Sequence, residues 1–191
     1  LVTDHYMNKK GRGLPISMDY LAGHSRGLIA LTGGHDGVLY NPAAEGDSES
    51  VRNRLARLSD IFADRLYVSI ELHGMRIEEQ GENEVLAASY SAGLPIVATN
   101  EPFFPSRSDF EAHDALLAVA DSRVMSEDNR RRLTQDHHFA TQKEMVQRFG
   151  DLPEALETSV EIALRCHYRP VTIAPILPRF TEGEGDGASA V

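Results

Sequence analysis

Short apolar runs alternate with amphipathic stretches along the first half of the chain. Three such runs occupy residues 27–32, 66–72 and 95–99, and in each of them apolar side chains occur at most positions. Runs of this length and composition are typical of strands that are buried on both faces. We therefore predict three buried strands at these positions.

Two predicted helices separate the three strands. Residues 47–62 carry apolar side chains at helical spacing with charged residues between them: Val51, Leu55, Leu58, Ile61 and Phe62. Residues 83–92 place Val85, Leu86 and Ser89 on one side, and Gly93 follows as a C-terminal cap. Alternation of buried strands with connecting helices favours an α/β fold with a parallel sheet or a closed β/α barrel over an antiparallel sandwich.

The pattern becomes mainly helical after residue 99. We predict one helix capped by Ser108, a second that begins at Thr141, and a third at residues 153–166. The apolar positions of the first two helices are Phe110, Leu116, Leu117, Val119, Met145 and Phe149. The second half of the chain is therefore expected to continue as packed helices rather than as further strands.

These patterns divide the chain into three parts. We predict a β/α portion at residues 1–105, a helical continuation at 106–180, and a tail at 181–191. The tail is rich in Gly and acidic residues and shows no periodicity, which is typical of a disordered segment. The chain begins at Leu1 without a Met, in what resembles the middle of an element, so we expect a piece of a longer protein.

Composition and charge narrow the possible functions. The chain has 191 residues, of which 41% are hydrophobic and 25% charged, values near the average for globular proteins. Its formal net charge of −10 repels a phosphate backbone, and no stripe of Lys and Arg with interleaved aromatic residues is present. We therefore expect no direct binding of nucleic acid by this chain.

The cysteine count and hydropathy bear on the compartment. Cys166 is the only cysteine, so the chain can form neither an internal disulfide nor a Cys-x-x-Cys zinc motif, and this fits a reducing compartment. No apolar run approaches the ~20 residues needed to cross a bilayer, and the N-terminus lacks a signal pattern. We predict a cytoplasmic location and no membrane association.

Several residues that could carry chemistry follow the predicted strands. Gly33 to His35 would form a loop after the first strand, although the spacing matches neither a P-loop nor a dinucleotide-binding fingerprint. Glu71 and His73 follow the second strand, and Glu101 follows the third. Carboxylates and imidazoles converging there could hold Zn²⁺ or Mn²⁺ and generate a hydroxide nucleophile. The alternative is that His73 only hydrogen-bonds a loop carbonyl.

Other polar residues have simpler interpretations. His137 and His138 are predicted to lie at the surface, and Cys166 to be a buried or half-buried small apolar residue. Asp109 and His113 could form an ordinary pair on a helix surface. The basic residues 130–132 are interpreted as a solvated loop or as a contact for an acidic partner or another domain.

Longer strings of residues resemble a known family. They are Gly-Leu-Ile-Ala-Leu-Thr-Gly-Gly at 27–34, Gly-Leu-Pro-Ile-Val-Ala-Thr-Asn at 93–100 and Ser-Asp-Phe-Glu-Ala-His at 108–113. Their order and spacing are similar to those of the PHP domain of the bacterial DNA polymerase III alpha subunit. Residues 149–166 and the Ile-Leu-Pro-Arg-Phe string at 176–180 resemble the segment that leaves that domain towards the polymerase palm.

The resemblance implies a fold and a set of ligand positions. The family has a distorted seven-stranded β/α barrel, of which this chain would supply the later strands. Metal-binding members carry a Cys after Ser-Gly and an Asp-x-His after Ala-Thr-Asn, and these positions here hold Gly34, Glu101 and Phe103. Glu101 alone keeps a donor atom, so the resemblance predicts a degenerate metal centre, with no catalytic residue and no cofactor in this chain.

Two functional hypotheses follow from the resemblance. The favoured one is a non-catalytic scaffold within a DNA-directed DNA polymerase, in contact with the other domains of the alpha subunit and with the proofreading exonuclease subunit. The isolated piece would expose apolar strand edges, and we expect it to self-associate or to be marginally stable without the missing strands. The competing hypothesis is a metal-dependent phosphoesterase or 3'–5' exonuclease that uses Glu71, His73 and Glu101, with His35 as a further ligand, around Zn²⁺ or Mn²⁺.

Overall fold

The computed structural model of the chain describes residues 16–174. The predicted tail at 181–191 and the string at 176–180 lie outside these residues. The helices are α1 (Met18–Gly23), α2 (Tyr40–Ala44), α3 (Ser48–Phe62), α4 (Arg76–Ser91), α5 (Phe110–Ala120), α6 (Gln142–Arg148) and α7 (Pro153–Arg165). The strands are β1 (Ala30–Leu31), β2 (Leu66–Ile70) and β3 (Ile96–Ala98).

The three strands form one parallel sheet in the order β1-β2-β3. Ala30 pairs with Leu66 at one side of β2, and Val68 pairs with Ile96 at the other. Helices connect the successive strands, as parallel pairing requires. The predicted α/β class is therefore confirmed, and the complete seven-stranded barrel remains a prediction.

Strand β2 lies at the centre of the hydrophobic core. All five of its residues are buried, and Val68 and Ile70 belong to a cluster that includes side chains from α3, α4 and α7. Helix α7 packs against β3, and α4 packs against α2. The sheet is thereby fixed between helices, so that the loops at its carboxyl end are held by a rigid support.

Two predicted elements differ in extent from the observed ones. Strand β1 has only two residues, and Leu31 is 44% exposed, so the prediction that it is buried on both faces was wrong. Among residues 16–174, β1 is an edge strand that pairs with β2 alone, so fewer neighbouring side chains cover Leu31. Helix α4 begins at Arg76 rather than at residue 83, because the Glu78 carboxylate accepts a hydrogen bond from the Met75 backbone N–H and caps the helix earlier.

Helix α5 presents its side chains differently from the prediction. The helix begins at Phe110 after a 3₁₀ turn capped by Ser106, rather than at a Ser108 cap. Leu116 and Val119 are 65% and 77% exposed, whereas Asp114 is buried. Asp114 faces the interior because it forms an ion pair with Arg130.

The Asp114–Arg130 pair is bidentate and enclosed. Arg130 Nη1 and Nη2 each lie 2.5 Å from one Asp114 carboxylate oxygen, and the two side chains are 1% and 8% exposed. The hydrogen bonds from Arg130 lower the pKa of Asp114 below its ordinary value. The solvated-loop interpretation of residues 130–132 was therefore wrong for Arg130, whose charge ties the loop to α5.

We expect Arg130→Lys to lower the melting temperature measurably, because an ammonium group cannot satisfy both carboxylate oxygens in the fork geometry of guanidinium. Arg131→Lys is the matched control. Arg131 pairs with Asp121, but the Arg131 side chain is 58% exposed, and an exposed ion pair contributes little to stability. Thermal denaturation followed by circular dichroism compares the two variants. Equal melting temperatures for both would contradict a structural role of the enclosed pair.

Candidate functional site

Polar side chains follow each strand at the carboxyl edge of the sheet. His35 lies in the loop after β1, and Asn100 follows β3. Glu71 and His73 come directly after β2, as the sequence pattern predicts. Because the carboxyl ends of parallel strands meet at one edge, these side chains come together. His35, Glu71 and His73 form, with Glu78 and His137 from later elements, a group of five that we call the His/Glu cluster.

Four ligand-type atoms of the cluster are arranged in a ring. His35 Nδ1 lies 3.3 Å from Glu71 Oε2 and 3.9 Å from Glu78 Oε1. His73 Nδ1 lies 3.9 Å from Glu71 Oε2 and 3.1 Å from Glu78 Oε1. All four residues are between 1% and 7% exposed. Each carboxylate therefore lies between two imidazoles in an environment that excludes most water.

Glu78 belongs to the first turn of α4 and is held by the backbone before it. Its Oε2 accepts hydrogen bonds from the N–H groups of His73 and Met75, at 2.8 and 2.9 Å. Burial by itself would raise the pKa of Glu78, but the hydrogen bonds from His73 and from the Met75 backbone outweigh it and lower the pKa below its ordinary value. Glu78 is thus a fixed, ionised group of the cluster.

His137 covers the cluster from the turn before α6. Its ring stacks on His73 with centroids 4.1 Å apart, and it lies edge-on to His35 at 5.8 Å. Burial, together with the neighbouring His73, lowers the pKa of His137 to about 4, so the ring is neutral at pH 7. Its Nε2 is buried and has no hydrogen-bond partner among residues 16–174.

Asn100 and Thr134 determine which ring nitrogen carries the proton in His73 and in His137. Asn100 Oδ1 accepts a hydrogen bond from the Ala140 N–H, so its amide nitrogen faces His73 Nε2 at 3.2 Å. This contact places the His73 proton on Nδ1, where it points to Glu78. Thr134 Oγ1 donates to the His73 carbonyl at 2.6 Å, and the Thr134 backbone N–H donates to His137 Nδ1 at 3.1 Å, so the proton of the neutral His137 ring is on Nε2.

The family ligand positions do not assemble a donor set. A Cβ placed on Gly34 would lie 1.7 Å from Glu71 Oε2, so the Glu71 carboxylate occupies the space in which a longer side chain would project. Glu101 is exposed, and it is not among the residues whose ligand atoms converge. The Phe103 ring packs near His113 and His137, each at 5.9 Å between centroids. Of the three positions, only residue 101 carries a donor side chain, and it lies outside the group of converging ligand atoms.

The structure corrects several interpretations of single residues. His137 and His138 are buried rather than at the surface, because their segment pairs with the chain after β3: Phe103 N–H donates to the His137 carbonyl, and Phe139 N–H to that of Phe104. Cys166 is exposed rather than buried. Asp109 accepts hydrogen bonds from Ser106 and does not pair with His113.

Sequence reasoning missed two members of the cluster. Glu78 could have been found from its position three residues after Met75, where a carboxylate caps a helix that begins there. His137 is separated from His73 by more than sixty positions and lies in a polar stretch without periodicity. No local signal distinguishes it from a surface histidine.

Comparisons with known proteins give one consistent result. The DNA polymerase III subunit alpha of Caulobacter vibrioides is 38% identical over 165 residues, which are 86% of this chain and 14% of that protein. The subunit of Pasteurella multocida is 34% identical over 166 residues, again 86% of this chain and 14% of the relative. That of Escherichia coli is 32% identical over 186 residues, 96% of this chain and 16% of the relative. No protein-family model matches the chain.

The chain spans about one seventh of the length of these relatives. This coverage agrees with a match to part of one domain of a much larger protein. Within residues 16–174, no helix is long and apolar enough to cross a membrane.

Proposed function

We propose, on the premise that this chain is homologous to one segment of the DNA polymerase III alpha subunit, that it is a structural and interaction module of PHP type with no catalytic centre of its own. As part of a DNA-directed DNA polymerase it would act in DNA replication in the cytoplasm. Nucleotidyl transfer would be performed by other segments of the subunit.

The observation that carries this proposal is the loss of donors at the family ligand positions. Gly34 has no side chain, and the space beside it is filled by the Glu71 carboxylate. The Phe103 ring cannot coordinate a metal, and Glu101 is exposed to solvent. A polynuclear centre that activates water needs several converging donors and an open coordination position. These residues supply neither.

Charge and surface composition support an interaction role. The net charge of −10 opposes direct contact with a nucleic acid backbone. Helix α5 exposes Leu116 and Val119, and Val124 follows in the next loop at 63% exposure. Exposed apolar groups of this kind are suited to contact with other domains of the alpha subunit or with the proofreading exonuclease subunit. In the isolated chain they favour self-association.

The competing hypothesis, a metal-dependent phosphoesterase or exonuclease, has one observation in its favour. His35, Glu71 and His73 converge as that hypothesis requires, with Glu78 in addition. The cluster is enclosed, however, and Glu101 does not join it. A hydrolytic centre needs access for a phosphodiester and for water, and the enclosed geometry favours the structural hypothesis.

Hydrolysis assays separate the two hypotheses. We expect no turnover of a phosphodiester or of a DNA 3' end by the chain with either Mn²⁺ or Zn²⁺, beyond that of a His73→Gln variant. Metal-dependent turnover that His73→Gln abolishes would overturn the scaffold proposal. The His138→Gln variant is the control, because His138 hydrogen-bonds Glu144 outside the cluster.

Sedimentation tests the interaction role. We expect the isolated chain to show concentration-dependent self-association, and the double variant Leu116→Ser/Val119→Ser to shift the equilibrium towards monomer, because it removes two exposed apolar side chains from α5. Analytical ultracentrifugation over a range of concentrations measures this. A monomeric parent chain that melts cooperatively would contradict the expectation that this surface is normally covered.

A further inference from the structure

The His/Glu cluster contains two buried carboxyl groups without a Lys or Arg partner in the described part of the chain. Glu71 and Glu78 are 5% and 2% exposed, and neither forms an ion pair with a Lys or Arg within residues 16–174. Their ring partners are the imidazoles of His35 and His73. Enclosing two carboxylates without a full counter-charge is costly. A single divalent cation would balance both charges.

The spacing of the four donor atoms, which all lie within 4.8 Å of one another, is compatible with tetrahedral coordination. Tetrahedral Zn²⁺ holds nitrogen and oxygen ligands at about 2.0–2.2 Å, which separates neighbouring ligand atoms by about 3.3–3.6 Å. The four contacts around the ring, between the two Nδ1 atoms and the two carboxylate oxygens, are 3.1, 3.3, 3.9 and 3.9 Å. Small side-chain adjustments therefore suffice to coordinate one ion at the centre.

His137 closes the cluster on the side of His73. A ring nitrogen of His137 lies within 4.8 Å of ligand atoms of His35 and His73. Its Nδ1 accepts a hydrogen bond from the Thr134 backbone N–H at 3.1 Å, so the proton of the neutral ring is on Nε2 and the ring offers no free electron pair to the ion. His137 therefore encloses the site without being one of its ligands.

We infer that His35, Glu71, His73 and Glu78 form a mononuclear site for a tetrahedral divalent cation of the Zn²⁺ class, which the His137 ring encloses. None of these residues occupies the positions at which the resemblance places the family ligands. Four protein donors in an enclosed setting leave no open position for water, which is the arrangement of a structural rather than a catalytic zinc site. The ion joins the loops after β1 and β2 to the start of α4.

Binding competes with a proton on His73. Without the ion, Asn100 directs the His73 proton to Nδ1, the atom that must coordinate. With the ion bound, the proton must move to Nε2, where it would face the Asn100 amide N–H. Asn100→Asp places an acceptor oxygen there, as the carboxylate partners of zinc-bound histidines do, and we expect it to raise the affinity about tenfold.

The test is a titration of chelator-treated chain with Zn²⁺ by isothermal calorimetry, with melting curves at each step. We expect about one ion per chain and, at zinc about a hundredfold above Kd, a rise in melting temperature of at least about 5 °C. Co²⁺ in place of Zn²⁺ should give the intense visible absorption of a tetrahedral complex. Binding well below one ion per chain, or a weak octahedral Co²⁺ spectrum, would overturn the inference.

Variants locate the site. Glu71→Gln and His35→Gln should each weaken zinc binding at least about a hundredfold. Replacing a residue that only hydrogen-bonds a metal ligand already costs up to about a hundredfold in affinity, and these two residues are ligands themselves. Glu144→Gln is the control, because Glu144 hydrogen-bonds His138 outside the cluster, and it should bind as the parent does. Parental affinity in both cluster variants would assign the zinc to another place. If either variant fails to fold, the Co²⁺ spectrum of the parent chain decides. None of these measurements involves hydrolysis. The zinc site can therefore be disproved while the scaffold proposal holds, and the scaffold proposal can be disproved by the hydrolysis assays while the zinc site holds.

Discussion

Gly34→Ala is expected to destabilise the chain by about 3–5 kcal/mol. The added Cβ would lie 1.7 Å from Glu71 Oε2 and 1.8 Å from its carboxyl carbon, so the Glu71 side chain must leave its place. Overpacking of this kind costs about 1–3 kcal/mol, and loss of the hydrogen bonds to a charged group adds about 1.5–3 kcal/mol. Urea denaturation of the variant and the parent chain measures the difference.

Two further variants test the cause of that loss. Gly150→Ala is the matched control, because the nearest atom to its added Cβ is 3.6 Å away, and we expect a change within about 0.5 kcal/mol. In the Glu71→Ala background, Gly34→Ala should cost less than it does alone, since the clashing carboxylate is gone. Additive effects of Gly34→Ala and Glu71→Ala would show that the two side chains do not compete for the same space. Gly34→Cys should fail like Gly34→Ala, rather than rebuild a metal ligand.

Phe149→Ala is expected to lower the free energy of unfolding by about 3–5 kcal/mol, the usual cost of deleting a buried aromatic ring. Phe149 has no exposed surface and belongs to the same buried cluster as Val68 and Ile70 of β2. Loss of the ring leaves a cavity between the helical part of the chain and the sheet. Denaturant unfolding, with its slope compared between variants, gives the value.

Phe139→Ala provides the comparison for that prediction. Phe139 is 70% exposed and lies ten residues away in the same part of the chain. Its removal should change the free energy of unfolding by no more than about 0.5 kcal/mol. Similar losses for the two phenylalanines would mean that residues 106–174 do not share one core with the β/α portion.

The cluster links these predictions to the proposed function. The chain has Gly at residue 34 and Phe at residue 103, and it holds two buried carboxylates, Glu71 and Glu78, at the same edge of the sheet. Glu71 fills the space beside Gly34, so the absence of a side chain at residue 34 and the position of Glu71 depend on each other. We propose that this edge has a structural role, with the enclosed cation site as its centre.

Local sequence predicted most of the secondary structure and part of the site. The bounds of α3 and α7 agree with the prediction to within one residue, because apolar spacing and the capping residues Asp47 and Pro153 act within the segment itself. Glu71 and His73 were placed at a strand end for the same reason. The burial of Asp114 on α5 has no signal within the helix itself, since it depends on the ion pair with Arg130, sixteen residues away.

The sequence by itself determined the α/β class, the order of the elements and the convergence of polar residues at the carboxyl ends of the strands, because each rests on periodicity or on the geometry of parallel strands. Only the tertiary structure decided that His137 covers the cluster, that Glu78 joins it, and that Glu101 stays outside. These placements depend on which distant loops pack together. Which loops pack together depends on contacts between residues that are far apart in the chain. No short run of residues indicates those contacts.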